Sequence, residues 1–378
     1  MILLGSGCTS RHPAQGPVPA PPGPPPAPPV YIELVLDRSA SMQRSMPAML
    51  REAATMVASF RPGRDRLGLV VFGSSALVAY PADGSGPSAD FQSSRPSLPD
   101  VIRTINAGSN TGTAEALWLA YRELAKQPDP GARRFIVLFT DGLPNGITAD
   151  LNDPDPTRNL LRPESRCLHK NEPGFPMRAV IAQTCGYQME CRGGTMLWQP
   201  LQGFTDAQHP NAAAWLPAPP PTLPTGPETA GCSFQAMRGA IVRDLRALPT
   251  RDVYGNATDG EAYRDSLLFA KEGVPLDLTR ITSGYQIGLA SWNAADDAAR
   301  RIRQDRDLGV AIFVIGYFGI GAASTDPPDM RLMHRMANIN VPGNNAYDPE
   351  APRGAIVSGG DLAALFANLY AAIGEGRR

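Results

Sequence analysis

The chain of 378 residues is poor in the groups most catalysis needs. It has four histidines, His12, His169, His209 and His334, scattered without the close spacing that binds zinc. It has no Gly-x-Ser-x-Gly elbow to activate a serine. It also lacks the glycine-rich Lys-Ser/Thr loop that cradles nucleotide phosphates. Lys and Arg number 35 against 36 Asp and Glu, a formal charge of −1, so there is no electrostatic footprint for nucleic acid. No basic run reads as a membrane-surface patch. The opening Met1-Ile2-Leu3-Leu4-Gly5-Ser6-Gly7-Cys8 is too short and too little charged for a signal peptide or a membrane span, and no other segment approaches spanning length. Any membrane attachment is therefore expected from a segment upstream of the sequence given.

Cysteine is sparse but not evenly spread. Of five, Cys167, Cys185, Cys191 and Cys232 fall in one central region, with no Cys-x-x-Cys pair among them. An even local cluster without metal spacing predicts two disulfides and an oxidising compartment, with the pairing open. Four free thiols in a cytosolic chain are the alternative. Cys167-x-His169 as half of a metal site is the weaker reading of that stretch.

Residues 1–30 are dominated from Pro13 onward by Pro, Ala and Gly, which cannot bury a core and favour extended polyproline II. This segment reads as a stiff tether. An alternation of continuous apolar strands and amphipathic helices follows. Strands are predicted over 31–36, 66–73, 76–80, 135–139 and 310–316. Helices are predicted over 46–60, 113–126, 292–305, 329–337 and 361–373. Met46, Met49 and Met56 belong to the core face of the first helix. Fully apolar strands between helices imply an α/β, Rossmann-like, doubly wound and mostly parallel sheet covered on both faces. From Leu143 to about Ile287 the pattern breaks into a Pro-, Gly-, Asn- and Asp-rich stretch carrying the four cysteines. It is too long for a structureless loop. The expected organisation is a tether at 1–30, a first part of the α/β domain at 31–142, an inserted subdomain at 143–287 and a second part at 288–378. Trp198 and Trp215 in the insertion are equally readable as partner contacts and as buried residues.

The chemistry concentrates at strand ends. Asp37-Arg38-Ser39-Ala40-Ser41 directly follows the first strand. Alternating residues of an extended segment point the same way, so one carboxylate and two hydroxyls converge. Hard oxygens at the carboxyl end of a strand suit a Mg²⁺-sized cation, and ligands of such sheets bind at that edge. Ser109-Asn110-Thr111-Gly112-Thr113, before the second helix, and Thr140-Asp141-Gly142-Leu143-Pro144-Asn145, after the strand at 135–139, place further oxygens there. Taken singly, each group has a bland reading: Ser39 or Ser41 as helix caps, Asp141 as a turn former. No capping rule explains three segments meeting at one edge. An aspartyl phosphatase would need a second carboxylate at position 39, where this chain has Ser, so the chain is expected not to be an enzyme.

Asp-x-Ser-x-Ser, then a Thr shortly before an Ala-Leu helix, then Thr-Asp-Gly at a strand end resembles the metal-ion-dependent adhesion site, or MIDAS, of the von Willebrand factor A (vWA) family. The resemblance implies that Ser39, Ser41 and Thr111 contact the metal, with Asp37 and Asp141 close by, one or both through water. It implies Mg²⁺, or Mn²⁺ or Ca²⁺, and a protein partner that offers an Asp or Glu carboxylate to the ion. Asp252-Val253-Tyr254-Gly255-Asn256-Ala257-Thr258, Trp292 to Arg303, Val314-Ile315-Gly316, Ala346-Tyr347-Asp348-Pro349 and the last helix resemble TadG-type proteins of the bacterial tight-adherence (Flp) pilus system. That implies a non-enzymatic binding protein of the cell envelope, periplasmic or surface-exposed, acting in pilus assembly or cell adhesion with pilus or pseudopilin components as partners. The alternative is a cytoplasmic A-domain partner of an AAA+ ATPase in metal insertion or complex remodelling. Unlike TadG-type proteins, this sequence has only the Pro-rich segment before the A domain. Arg38 is bulkier than the family's usual residue there and is expected to affect what approaches the metal.

Overall fold

The computed structural model describes residues 28–107, 110–127, 129–140, 143–150, 160, 178–182, 246–266, 273, 275–281, 285–317, 329–359 and 362–375. All five cysteines, Trp198, Trp215 and Asp141 lie outside these residues, as do the expectations that rest on them.

Strand β1 (Val30–Asp37) is buried along its whole length. An unbroken apolar run is what a strand covered on both faces requires. It pairs in parallel with β2 (Arg66–Phe72) on one side and β4 (Arg133–Thr140) on the other. β3 (Ala76–Tyr80) adds an antiparallel edge to β2. β7 (Val310–Tyr317) and β8 (Ile356–Gly359) extend the sheet in parallel beyond β4. The order is β3-β2-β1-β4-β7-β8. A separate antiparallel pair, β5 (Gly146–Asp150) and β6 (Arg178–Ala182), follows β4 in the chain.

Alternation along β1 divides the core in two. Ile32, Leu34 and Leu36 face α1 (Met46–Ala58), α2 (Leu98–Arg103) and α6 (Leu362–Glu375). Tyr31 and Val35 face α3 (Thr113–Ala125), α4 (Tyr285–Gln304), α5 (Met330–Met336) and the β5–β6 pair. Helix α1 buries Met46, Met49, Leu50, Ala53, Met56 and Val57, a stripe at helical spacing, with Pro47 in the first turn, where its missing N–H costs nothing. The three methionines are core residues. Helix α4 begins seven residues before the expected Trp292 and runs through the 287/288 junction; every residue from Tyr285 to Ala299 is buried.

Candidate metal centre

The strand order reverses at β1, whose neighbours β2 and β4 are reached by connections on opposite sides of the sheet. The crevice outside the carboxyl ends of β1 and β4 is the place where such a fold binds ligands. Asp37 ends β1 and Thr140 ends β4.

Asp37 is fully buried. Its Oδ2 accepts a 2.6 Å hydrogen bond from the Thr140 hydroxyl, and its Oδ1 a 2.7 Å bond from the Ser39 amide. Burial pushes its carboxyl up to about 6, against the opposing pull of these donors. Ser39 is buried and Ser41 exposed. Ser39 starts the 3-10 turn Ala40–Arg44, but its side chain makes no capping bond. Its Oγ lies instead 3.0 Å from Ser41 Oγ. Two oxygens bound cis on an octahedral Mg²⁺, each at about 2.0–2.1 Å, stand about 2.9 Å apart. The hydroxyl pair therefore fits an edge of that octahedron, and the donor set is all hard oxygen. Among the described residues no group of three or more His, Cys, Asp or Glu side chains comes together.

Thr111 reaches the same edge through the turn after β2. Phe72 pairs with Asp37, and its carbonyl accepts from Arg38 N–H at 2.7 Å. The next residue, Gly73, accepts from Gly112 N–H at 2.7 Å, and Ser74 Oγ accepts from Asn110 N–H at 3.0 Å. The loop sits so close to this turn that a Cβ on Gly112 would meet Ser74 O at 2.8 Å. Thr111 is buried, and its amide donates to Asn145 Oδ1 at 2.7 Å.

The structure thus places Asp37, Ser39 and Ser41 together at the end of β1 with Thr140 bonded to Asp37, and rests the Thr111 loop on the turn after the neighbouring β2. Arg38 does not project outward: it is 6% exposed, its Nε bonded to Asn106 O at 2.8 Å. The sequence places Thr140 and Asn145 at this edge but assigns neither a role; the structure gives them as partners of Asp37 and Thr111. Thr140 was readable as the residue before Asp141 on a strand whose neighbour ends in Asp37. For Asn145 no local signal pointed to Thr111 as its partner.

Comparison with known proteins adds the following. No curated protein matches the chain. Among solved structures the chain is similar to the PilB minor pilin from Streptococcus sanguinis, at 14% identity and a TM-score of 0.47, covering 94% of this chain and 63% of that one. The chain thus spans less than two thirds of the PilB chain. It is also similar to the vWF domain of the type V pili tip protein Mfa5 from Porphyromonas gingivalis, at 14% identity and a TM-score of 0.45, covering 93% and 97%. A von Willebrand factor type A structure from Catenulispora acidiphila is 25% identical, with a TM-score of 0.27 over 30% of this chain and 27% of that one. Residues 32–143 match the family model described as von Willebrand factor type A domain. The doubly wound, mostly parallel sheet agrees with that match, and residues 32–143 belong to a von Willebrand factor type A domain.

Proposed function

We propose that the chain is a non-enzymatic, metal-dependent protein-binding module of the bacterial cell envelope, acting in tight-adherence pilus assembly or surface attachment. The observation that carries this reading is the paired hydroxyls of Ser39 and Ser41 beside the buried carboxylate of Asp37, at the topological switch point. Mg²⁺ keeps several waters and few protein carboxylates in such a set, with Mn²⁺ and Ca²⁺ as alternatives. Ser39, Ser41 and Thr111 would hold the ion, with Asp37 and Asp141 close by. An ion held mostly by neutral hydroxyls stays electrophilic, and an exchangeable water position suits the Asp or Glu of a partner protein. Ser39 stands where a phosphoryl-transfer site would need its second carboxylate, which supports a binding role over catalysis.

The tight-adherence assignment draws on the sequence resemblance. Of the stretches that carry it, residues 252–258 meet α4, where Arg301 Nη1 donates to Asn256 Oδ1 at 2.6 Å, and residues 346–349 lie beside α5, where Asn338 Oδ1 accepts from Asp348 N–H at 2.8 Å. Calorimetric titration of Mg²⁺ into the wild type and Asp37→Ala tests the metal. Binding heat in the wild type alone is the expected result, and equal heats in both defeat the reading. Counting free thiols under denaturing conditions tests the compartment. Oxidised Cys167, Cys185, Cys191 and Cys232 are expected, and four free thiols place the chain in the cytoplasm instead.

A further inference from the structure

The chain leaves the central sheet after β4, passes through β5 and β6, and its returning limb is described from Arg246. The outgoing limb is hydrogen-bonded to the loop that bears Thr111, and the returning limb to the outgoing limb and to the helix that follows that loop. On the outgoing limb, Asn145 grips the Thr111 peptide at two points. Its Oδ1 accepts from Thr111 N–H at 2.7 Å, and its own N–H donates to Thr111 O at 3.0 Å. Gly146 N–H donates to the same carbonyl at 3.2 Å. Three residues on, in β5, Thr148 Oγ1 accepts from Val253 N–H on the returning limb at 3.2 Å. The neighbouring Tyr254 donates its hydroxyl to Glu115 Oε1 at 3.0 Å. Glu115 lies in the first turn of α3, the helix that begins two residues after Thr111. Its carboxylate also accepts from Ser75 Oγ at 3.2 Å and Ala76 N–H at 2.9 Å, bracing the turn on which the Thr111 loop rests. The circuit closes: Thr111, Asn145, Thr148, Val253 and Tyr254, Glu115, and back along α3 to Thr111.

We propose that Asn145 is a positioning residue for the metal centre, and that this circuit couples the returning limb at Val253–Tyr254 to cation binding at Thr111. The inference rests on the metal-centre reading above. Groups that orient a ligand typically change metal affinity by about 10- to 100-fold when removed. Coupling is also reciprocal: whatever fixes Val253 and Tyr254 strengthens cation binding, and the cation in turn steadies that limb. A partner that grips the excursion then has a route to the affinity of the metal edge without touching the ion.

The test uses the whole chain with MgCl₂ as the probe. Calorimetry on the wild type, Asn145→Ala and Asn145→Asp should show affinity reduced about tenfold or more in the first variant, and kept in the second, which retains the accepting oxygen. Unfolding in EDTA separates lost affinity from lost fold. Amide exchange in the wild type gives a readout that needs no variant: Mg²⁺ should slow exchange at Val253 and Tyr254, which hold no ligand, as well as at Thr111 and Gly112. Wild-type binding with an unchanged Asn145→Ala affinity, or with unchanged exchange at Val253 and Tyr254, overturns the coupling alone. Absence of any Mg²⁺ heat in the wild type overturns the metal reading and this inference with it.

Discussion

Glu33 on β1 lies directly opposite Gly68 on β2, and the missing side chain of the glycine is the space the carboxyl occupies. A Cβ on Gly68 would stand 2.0 Å from Glu33 Oε1. Gly68→Ala is therefore expected to destabilise the fold by about 1–3 kcal/mol through overpacking. In Glu33→Ala the obstacle is gone, so Gly68→Ala in that background should cost much less. A double-mutant cycle by urea unfolding measures this, and additive effects of the two changes would show that the pair does not share the space.

The same carboxyl is buried with neither oxygen hydrogen-bonded among the described residues. Burial holds it well above the usual carboxylate range, the nearby Glu123 carboxylate pushes it further, and Lys126 opposes. A carboxyl raised on folding contributes its stability in full below its unfolded value near 4.5 and loses it as pH climbs toward the folded value. Unfolding free energies from pH 5 to pH 8 should thus fall more steeply in the wild type than in Glu33→Gln, by up to about 1.4 kcal/mol per pH unit. Glu115, pushed up to about 8 by burial, has the same sign and remains in both proteins, so the difference isolates Glu33. Superimposable profiles would mean that Glu33 is not held as the neutral acid.

Thr140 is expected to orient Asp37 for the metal. Its hydroxyl donates to Asp37 Oδ2 at 2.6 Å, and both side chains are buried. Thr140→Val keeps the shape and removes the donor. Mg²⁺ affinity should fall about tenfold, while Thr140→Ser, which keeps the hydroxyl, should bind as the wild type does. Calorimetry that finds Thr140→Val equal to the wild type would assign Asp37 its orientation from Ser39 alone.

What the sequence made legible follows from physical periodicity. β1, β4 and β7 were readable because strands buried on both faces are continuous apolar runs, and α1 and α3 because one face of each is polar. The first two turns of α4 were not, since Tyr285–Ser291 is buried all round and includes Gly288 and Ser291, leaving no polar face to reveal the repeat. Helix α2 has only six residues, too few for periodicity, though its capping box of Ser97 and Asp100 is a readable start signal. β5, β6 and β8 are four or five residues each and lie in stretches broken by Gly and Pro. At the site, Asp37, Ser39 and Ser41 were legible because they fall within five residues at the end of β1, although Ser41 lies in the 3-10 turn Ala40–Arg44 and not in an extended segment. The partnership of Thr111 with Asn145 spans 34 residues, and no spacing rule reaches that far.

The last prediction concerns the ion pair that joins α4 to α5. Arg335 holds Asp296 through two bonds of 2.8 Å, from Nε to Oδ1 and from Nη2 to Oδ2, and its third nitrogen reaches Asp265. The Arg335 and Asp296 side chains are 9% and 7% exposed. The guanidinium also lies over the Trp292 ring, 5.4 Å from its centroid. Cutting one partner of a buried pair strands the other charge, so Asp296→Ala should destabilise by about 3–5 kcal/mol. Replacing both groups with apolar residues of similar volume removes the stranded charge. Asp296→Leu combined with Arg335→Met should therefore recover most of that loss in urea unfolding, provided Asp265, at 26% side-chain exposure, can turn to solvent. A double variant as unstable as Asp296→Ala would show that the bidentate geometry, rather than the burial of charge, holds α5 against α4.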